Sequence, residues 1–315
     1  MDPLACLLDG ARARGAFVLR SSMEPPWSIR IEDEAPLTLV TILRGTAWIR
    51  MDSGDERFLD TADVAILRGP ETYVVSDDAG RPPQAVIDVH QVCRPADGQQ
   101  ENPMGPQGVR SWGNSPDGKT IMLTGTYRTH PELSRHLLTA LPPVLVLPGP
   151  DWTSPLISYL TQEAERDEPG QDAVLDRLLD LVLIAMLRSW FARPGSGAPG
   201  WYRAHRDPVV GRALSLIHDQ PERPWSVASL ASAADTSRAS LARRFHELVG
   251  ESPITYLTTW RLTLAADLLT ETDATLEAVA HQVGYSNAFA LSTAFKRVRG
   301  VSPSQHRQAA LAPSG

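Results

Sequence analysis

Two cysteines, Cys6 and Cys93, are all that the 315-residue sequence contains. That is too few for a disulfide framework and fits a chain kept in a reducing compartment. A reversible Cys6/Cys93 redox pair is the one functional use left open for them, beside the plainer reading of two incidental thiols. Also missing is any continuous apolar run near the ~18 residues a membrane-spanning helix requires, so a soluble, cytoplasmic chain is expected, with no membrane partner. Nor is there an excess of positive charge, since 30 Lys and Arg face 37 Asp and Glu for a net −7. This excludes a polycation that holds nucleic acid through its overall field. The deficit is uneven: residues 206–315 carry 11 basic against 10 acidic side chains, net +1, and the remainder is −8. Any nucleic-acid surface in the C-terminal third must gather its cations on one face, and stable binding then calls for a homodimer.

What the sequence has is a motif that occurs twice. Phe245-His246-Glu247-Leu248-Val249-Gly250-Glu251-Ser252-Pro253 returns as Phe295-Lys296-Arg297-Val298-Arg299-Gly300-Val301-Ser302-Pro303, with Phe, Gly, Ser and Pro at a constant offset of 50 residues. A repeat at this spacing marks a duplicated supersecondary unit. Ahead of the first copy, Val227, Leu230, Ala231 and Ala234 follow the spacing of one helix face, with Ser226 placed to cap it. After Asp235-Thr236, Ser237 starts a second helix whose apolar face is Leu241, Phe245 and Leu248. The second copy repeats the scheme with Leu276, Val279, Ala280 and Val283, then Gly284-Tyr285-Ser286, then Leu291, Phe295 and Val298. Its turn is one residue longer, and Gly284 suits a left-handed turn position better than Asp235 does. Between them Ile254, Leu257, Trp260, Leu264, Leu268 and Leu269 form the stripe of a long helix shared by both cores.

Two such units with Phe-x4-Gly-x-Ser-Pro tails and a linking helix resemble the DNA-binding domain of AraC/XylS-type transcription regulators over residues 206–309. The resemblance implies double-stranded operator DNA as partner, with RNA polymerase a further one, and activation as the default. It also implies that Ala239, Ala242 and Arg243 face the bases. Arg243 is then the leading base reader, because Arg makes bidentate contacts to guanine, and the alanines suit thymine methyl groups. Ser240 and His246 share that polar face, while Arg238 and Arg244 fit phosphate contacts or a surface ion pair. In the second unit the family often has Arg where Thr293 stands. Asn287, Ser292 and Thr293 are its base-reading candidates but bring no charge, so this unit is expected to read less sequence and to position the backbone through Lys296, Arg297 and Arg299.

The N-terminal half changes character, with short β-rich runs between Gly, Pro and Asp turns. Strands are expected at Trp27–Ile31, Leu37–Leu43, Ala47–Met51, Val64–Leu67, Tyr73–Ser76, Ala85–Val89, Thr120–Tyr127 and Val144–Leu147. They make a small barrel or jelly roll over about residues 1–150. Two helices follow, near 154–166 and 171–191, closing a domain at 192. In the second helix Leu178 and Val182 serve either packing or dimerisation. The opening Met1-Asp2-Pro3-Leu4, Gly45, Leu59-Asp60-Thr61-Ala62-Asp63-Val64, Ala140-Leu141-Pro142-Pro143-Val144-Leu145 and the segment from Trp201 to Pro208 resemble AraC-type regulators with a cupin sensor. The expected fold class is thus α+β: a cupin-like barrel with helices, a Gly/Pro-rich linker at 193–205, an all-α domain at 206–309 with two helix-turn-helix units, and a tail at 310–315.

Related sensors often place a Pro-His pair after the Gly-Pro turn. Here Gly69-Pro70-Glu71-Thr72-Tyr73 has Tyr in the His place, and His90, His130 and His136 show no ligand spacing, so no metal or other cofactor is expected. A small-molecule effector remains, with Trp27, Trp48, Arg50 and Tyr73 as candidate pocket residues against the alternative that these aromatics are core. The competing functions are a cupin-type dioxygenase or isomerase fused to a DNA-binding tail, which lacks a nucleophile or acid/base constellation, and a sensorless dimerisation module.

Overall fold

The structure is a computed structural model that describes residues 17–96, 104–127, 141–152, 154–193 and 195–311. These divide into two compact units, residues up to 196 and residues from 197 onward.

The first unit is built from thirteen strands: β1 (Phe17–Met23), β2 (Ser28–Ile31), β3 (Leu37–Arg44), β4 (Ala47–Met51), β5 (Glu56–Leu59), β6 (Val64–Arg68), β7 (Tyr73–Ser76), β8 (Ala85–Ile87), β9 (Cys93–Pro95), β10 (Gly105–Gly108), β11 (Ser111–Gly113), β12 (Thr120–Tyr127) and β13 (Val144–Leu147). They form a seven-stranded sheet in the order β10-β11-β1-β12-β3-β6-β13 and a six-stranded sheet in the order β5-β4-β7-β2-β8-β9. The two inner faces close over one core, with Val40, Ile42, Ala65, Leu67 and Met122 from the first sheet and Ile29, Ile49, Met51 and Val75 from the second. Successive side chains on a strand point to opposite faces, so the intervening Leu39, Ile66 and Leu123 lie on the other side of the larger sheet. They are buried there as well.

What covers that outer side is helical. Ser154 caps α1 (Pro155–Ala164), and α2 spans Gln171–Phe191. A methyl group on Gly125 of β12 would come within 2.5 Å of Leu179 Cδ2, and the Tyr127 hydroxyl donates to the Leu179 carbonyl at 2.8 Å. The glycine therefore lets α2 lie directly on the sheet. Leu178 and Val182 are 5% and 0% exposed on the covered side of α2, which corrects their reading as dimerisation residues. The large apolar side chains this helix leaves exposed are Val174 and Leu181.

The eight expected strands are all present, while β1, β5, β9, β10 and β11 were not expected; of these β1 occupies a central place between β11 and β12. Its Phe-Val-Leu-Arg-Ser-Ser-Met run neither alternates nor stays apolar. Arg20 at its middle is accommodated by Glu165 just beyond α1, at 3.5 Å.

The second unit contains α3 (Gly200–Ala204), α4 (Val210–Asp219), α5 (Val227–Ala233), α6 (Arg238–Val249), α7 (Pro253–Glu271), α8 (Leu276–Gln282), α9 (Ala288–Arg299) and α10 (Pro303–Leu311). The expected linker at 193–205 is helical in its second half. Ala204 is fully buried and Trp201 packs on the core of the second unit, so apolar burial pulls this stretch into the folded domain. Helix α7 serves two cores, as its stripe predicts. Leu257 and Trp260 join Leu230, Leu241 and Phe245, whereas Leu262, Ala265 and Leu269 join Val279, Leu291 and Phe295. No helix among the described residues is long and apolar enough to cross a membrane.

Candidate nucleic-acid interface

Each pair of short helices is set by its turn and caps. In the first, the Ser226 and Ser229 side chains cap α5 reciprocally, and the Ser237 side chain accepts from the Ser240 amide to start α6. Between them Asp235 takes a left-handed φ of 49°, and the Thr236 amide donates to the Ala231 carbonyl at 3.0 Å. In the second, Gly284 has φ 83° and the Tyr285 amide donates to the Ala280 carbonyl at 2.8 Å. Gly250 and Gly300 end α6 and α9 in the left-handed conformation, as their place in the repeat predicts. Leu241 and Phe245 are buried, as are Leu291 and Phe295, so α6 and α9 each turn a polar face outward.

On α6 that outward face carries Arg238, Ala239, Arg243 and His246, with Ser240 and Ala242 half-buried beside it. Arg243 is 66% exposed and holds Glu247 one turn on, at 3.0 Å. An exposed i,i+4 pair contributes no more than about 0.5 kcal/mol, so the guanidinium can leave Glu247 for a base edge at small cost. Arg244 behaves differently. It reaches back to Asp207 at 2.5 Å, with the carboxylate largely buried. Burial alone would raise the Asp207 pKa, but hydrogen bonds from the Val210 amide, Arg244 and the Val209 amide together hold it below the usual range. The same carboxylate thus caps α4 and anchors α6. Of the two roles open to Arg244, the ion pair is the one formed in this structure.

On α9 two of the three polar candidates already hold backbone partners. Asn287 is the N-cap, its side-chain oxygen accepting from the Ala290 amide at 2.8 Å, and the Thr293 hydroxyl donates to the Phe289 carbonyl at 2.9 Å. Ser292 is half-buried, Lys296 and Arg297 are exposed, and the Arg299 guanidinium lies 5.4 Å from the centre of the Phe295 ring. What protrudes is Phe289, 81% exposed in the first turn. It stands 50 residues after Ala239, so the repeat offset that aligned the two units points to it.

A second unanticipated residue is Arg261 of α7. Its Nε donates to the Pro221 carbonyl at 2.6 Å and its Nη2 to the Arg223 carbonyl at 2.7 Å, while its guanidinium lies 5.9 Å from the centre of the Tyr285 ring. It ties the loop ahead of α5 to the turn between α8 and α9, and so fixes one recognition helix relative to the other. The signal in the sequence is a cation in the middle of an apolar stripe.

In the first unit a cavity of about 50 Å³ lies between the sheets, lined by Ile29, Val40, Tyr73, Val75, Trp112 and Met122 among others. Asp33, Gln91 and Thr126 are among its polar lining groups, and burial pushes the Tyr73 phenol far above its ordinary pKa. The four pocket candidates do not converge. Tyr73 faces the cavity and Trp27 is a fully buried member of the core. On β4, Ala47, Ile49 and Met51 take the inner side, and by alternation Trp48 and Arg50 take the outer one. There Trp48 packs on Phe58, ring centres 5.1 Å apart, and Arg50 donates to the Ala79 carbonyl. Among the described residues no three His, Cys, Asp or Glu side chains gather where a metal could be held. His90 is exposed at a turn and Cys93 is half-buried on β9, while Cys6, His130 and His136 lie outside the described residues.

Sequence comparison adds the kinship. Residues 2–192 match a cupin family and residues 230–309 a helix-turn-helix domain family. A Streptomyces lividans protein described as an AraC-like transcription regulator is 31% identical over 98% of this chain and 98% of its own. The HTH-type transcriptional regulator AlkR of Acinetobacter baylyi is 27% identical over 98% of this chain and 99% of its own. Among solved structures, the DNA-binding domain of AdpA in complex with a target DNA is 32% identical over 35% of this chain and 99% of that one, with a TM-score of 0.32. With a cupin domain ahead of paired helix-turn-helix units and a full-length relative above 30% identity, the chain belongs to the AraC-like family of DNA-binding transcription regulators.

Proposed function

We propose that this regulator binds its operator as a homodimer in the cytoplasm and answers to a small, mostly apolar effector admitted between the two sheets of its cupin domain. The observation that supports sensing is the cavity beside Tyr73, apolar on most sides and with hydrogen-bonding groups at Asp33, Gln91 and Thr126. At about 50 Å³, where ~10–15 Å³ on the same measure holds one water, it has room for a few waters, so a larger effector must widen it to enter. Such a ligand shifts the molecule only to the extent that it prefers the opened form, and that preference is what would couple it to DNA binding or to RNA polymerase. The relatives' names favour regulation over catalysis, and by family resemblance the default direction is activation.

The test is genome-wide mapping of bound DNA together with transcript levels, in the natural chain and in Val75→Phe, which fills the cavity. The natural chain is expected to occupy promoter sites and to change transcription with a metabolite made or used by the neighbouring genes. Val75→Phe is expected to occupy the same sites with that response lost. An unchanged response would remove the cavity from the sensing role.

A further inference from the structure

We propose that Phe289 is the base-reading residue of the second helix-turn-helix unit, and that what it reads is the C5-methyl group of thymine in the major groove. The proposal rests on the DNA-binding function and goes beyond the expectation that α9 reads less sequence and mainly positions the backbone. Three observations carry it. The residue occupies the place in its repeat that Ala239 occupies in the first, in the opening turn of the outward helix. Its ring is 81% exposed in the first turn of a helix whose Leu291 and Phe295 are buried. Two of the three polar side chains that would otherwise read bases already hold backbone partners, the Asn287 side-chain oxygen accepting from the Ala290 amide and the Thr293 hydroxyl donating to the Phe289 carbonyl, and Ser292 is half-buried.

Helical spacing puts Phe289, Thr293 and Lys296 on one face, at i, i+4 and i+7. The face therefore presents a ring and a short β-branched side chain, followed about one turn on by the exposed cation of Lys296. Thymine is the only base whose major-groove edge carries a methyl, and apolar side chains including Phe are its usual partners. A ring recognising a thymine methyl gives this unit sequence selectivity without an arginine.

The experiment uses the full chain and an operator selected from random duplex DNA. Each thymine under the second unit is replaced in turn by uracil, which removes the methyl and leaves the pairing edge unchanged. The natural chain is expected to lose about fourfold in affinity at one or two positions, the change that burial of one methyl corresponds to. Phe289→Ala is expected to bind thymine and uracil operators alike, and Phe289→Leu to keep part of the discrimination. Equal binding of both operators by the natural chain would overturn the assignment, as would discrimination that survives in Phe289→Ala. A natural chain that selects no operator at all would instead overturn the DNA reading beneath it.

Discussion

Three side chains of the DNA-binding unit show how surroundings decide what a side chain does. Arg243 and Arg244 are sequence neighbours, yet one is exposed with a weak partner and the other is folded onto a half-buried carboxylate. Arg243→Ala is expected to reduce specific operator binding by tenfold or more in a shift assay, since a good base contact is worth about 1–3 kcal/mol. Thr293→Ala should lose less, because its hydroxyl already has a backbone partner, and equal losses would remove the asymmetry between the units. For Arg244→Ala the deficit should appear in thermal unfolding, about 1–2 kcal/mol for a partly exposed charge-assisted pair, with operator preference unchanged.

His218 is the third. It is buried with its Nε2 2.8 Å from the Tyr256 hydroxyl and its ring 4.1 Å from that of Trp260. Burial lowers its pKa from 6.5 to about 3. Below pH 6.5 the unfolded chain takes up a proton that the folded one refuses, so the stability it contributes is complete above 6.5 and is lost as pH falls towards 3. The loss runs at about 1.4 kcal/mol per pH unit in that window. Thermal unfolding of the full chain at pH 7 and pH 5 should show this drop in the natural protein and a smaller one in His218→Gln.

Among the elements, the two turns carry most of the contrast between the repeats. Gly284 is required twice over, by its left-handed φ and by the Glu222 Cα only 2.7 Å from where a methyl would sit. Gly284→Ala should destabilise the unit by about 1–3 kcal/mol, measured by denaturant unfolding. At Asp235 the same conformation is tolerated by a side chain, and Asp235→Gly should be neutral or slightly stabilising. The strands and helices whose apolar runs were clear, such as β4, β7, β12 and α2, were legible to the residue. The strand β1 was not, because an arginine in mid-strand breaks the apolar pattern and its ion pair forms only when α1 packs nearby. The pocket candidates illustrate the same limit. Trp48 and Tyr73 look alike as strand aromatics, and only the register of β4 against β7 sends one outward and the other inward.

For the whole molecule, the two shared cores on α7 make the spacing of α6 and α9 a property of one helix and of Arg261. Arg261→Ala is expected to leave binding to an isolated half-site within a few-fold and to lower affinity for the full operator more, since the loop and turn it holds would no longer be in register. Equal losses on both fragments would reduce Arg261 to a packing residue. In the cupin unit, Leu178→Glu should unfold the domain rather than yield a folded monomer, because the position is covered by the sheet.

The sequence by itself determined the duplication, the linking helix, the apolar faces and the class of fold, because these follow from local periodicity, caps and turn residues that act over a few positions. Only the tertiary structure decided which arginine is available, that α2 spends Leu178 and Val182 on its own barrel, and that Phe289 stands clear while Asn287 and Thr293 near it hold backbone partners. Those outcomes depend on which surfaces meet across long stretches of chain, and a residue's partner at such a distance leaves no mark in the local pattern.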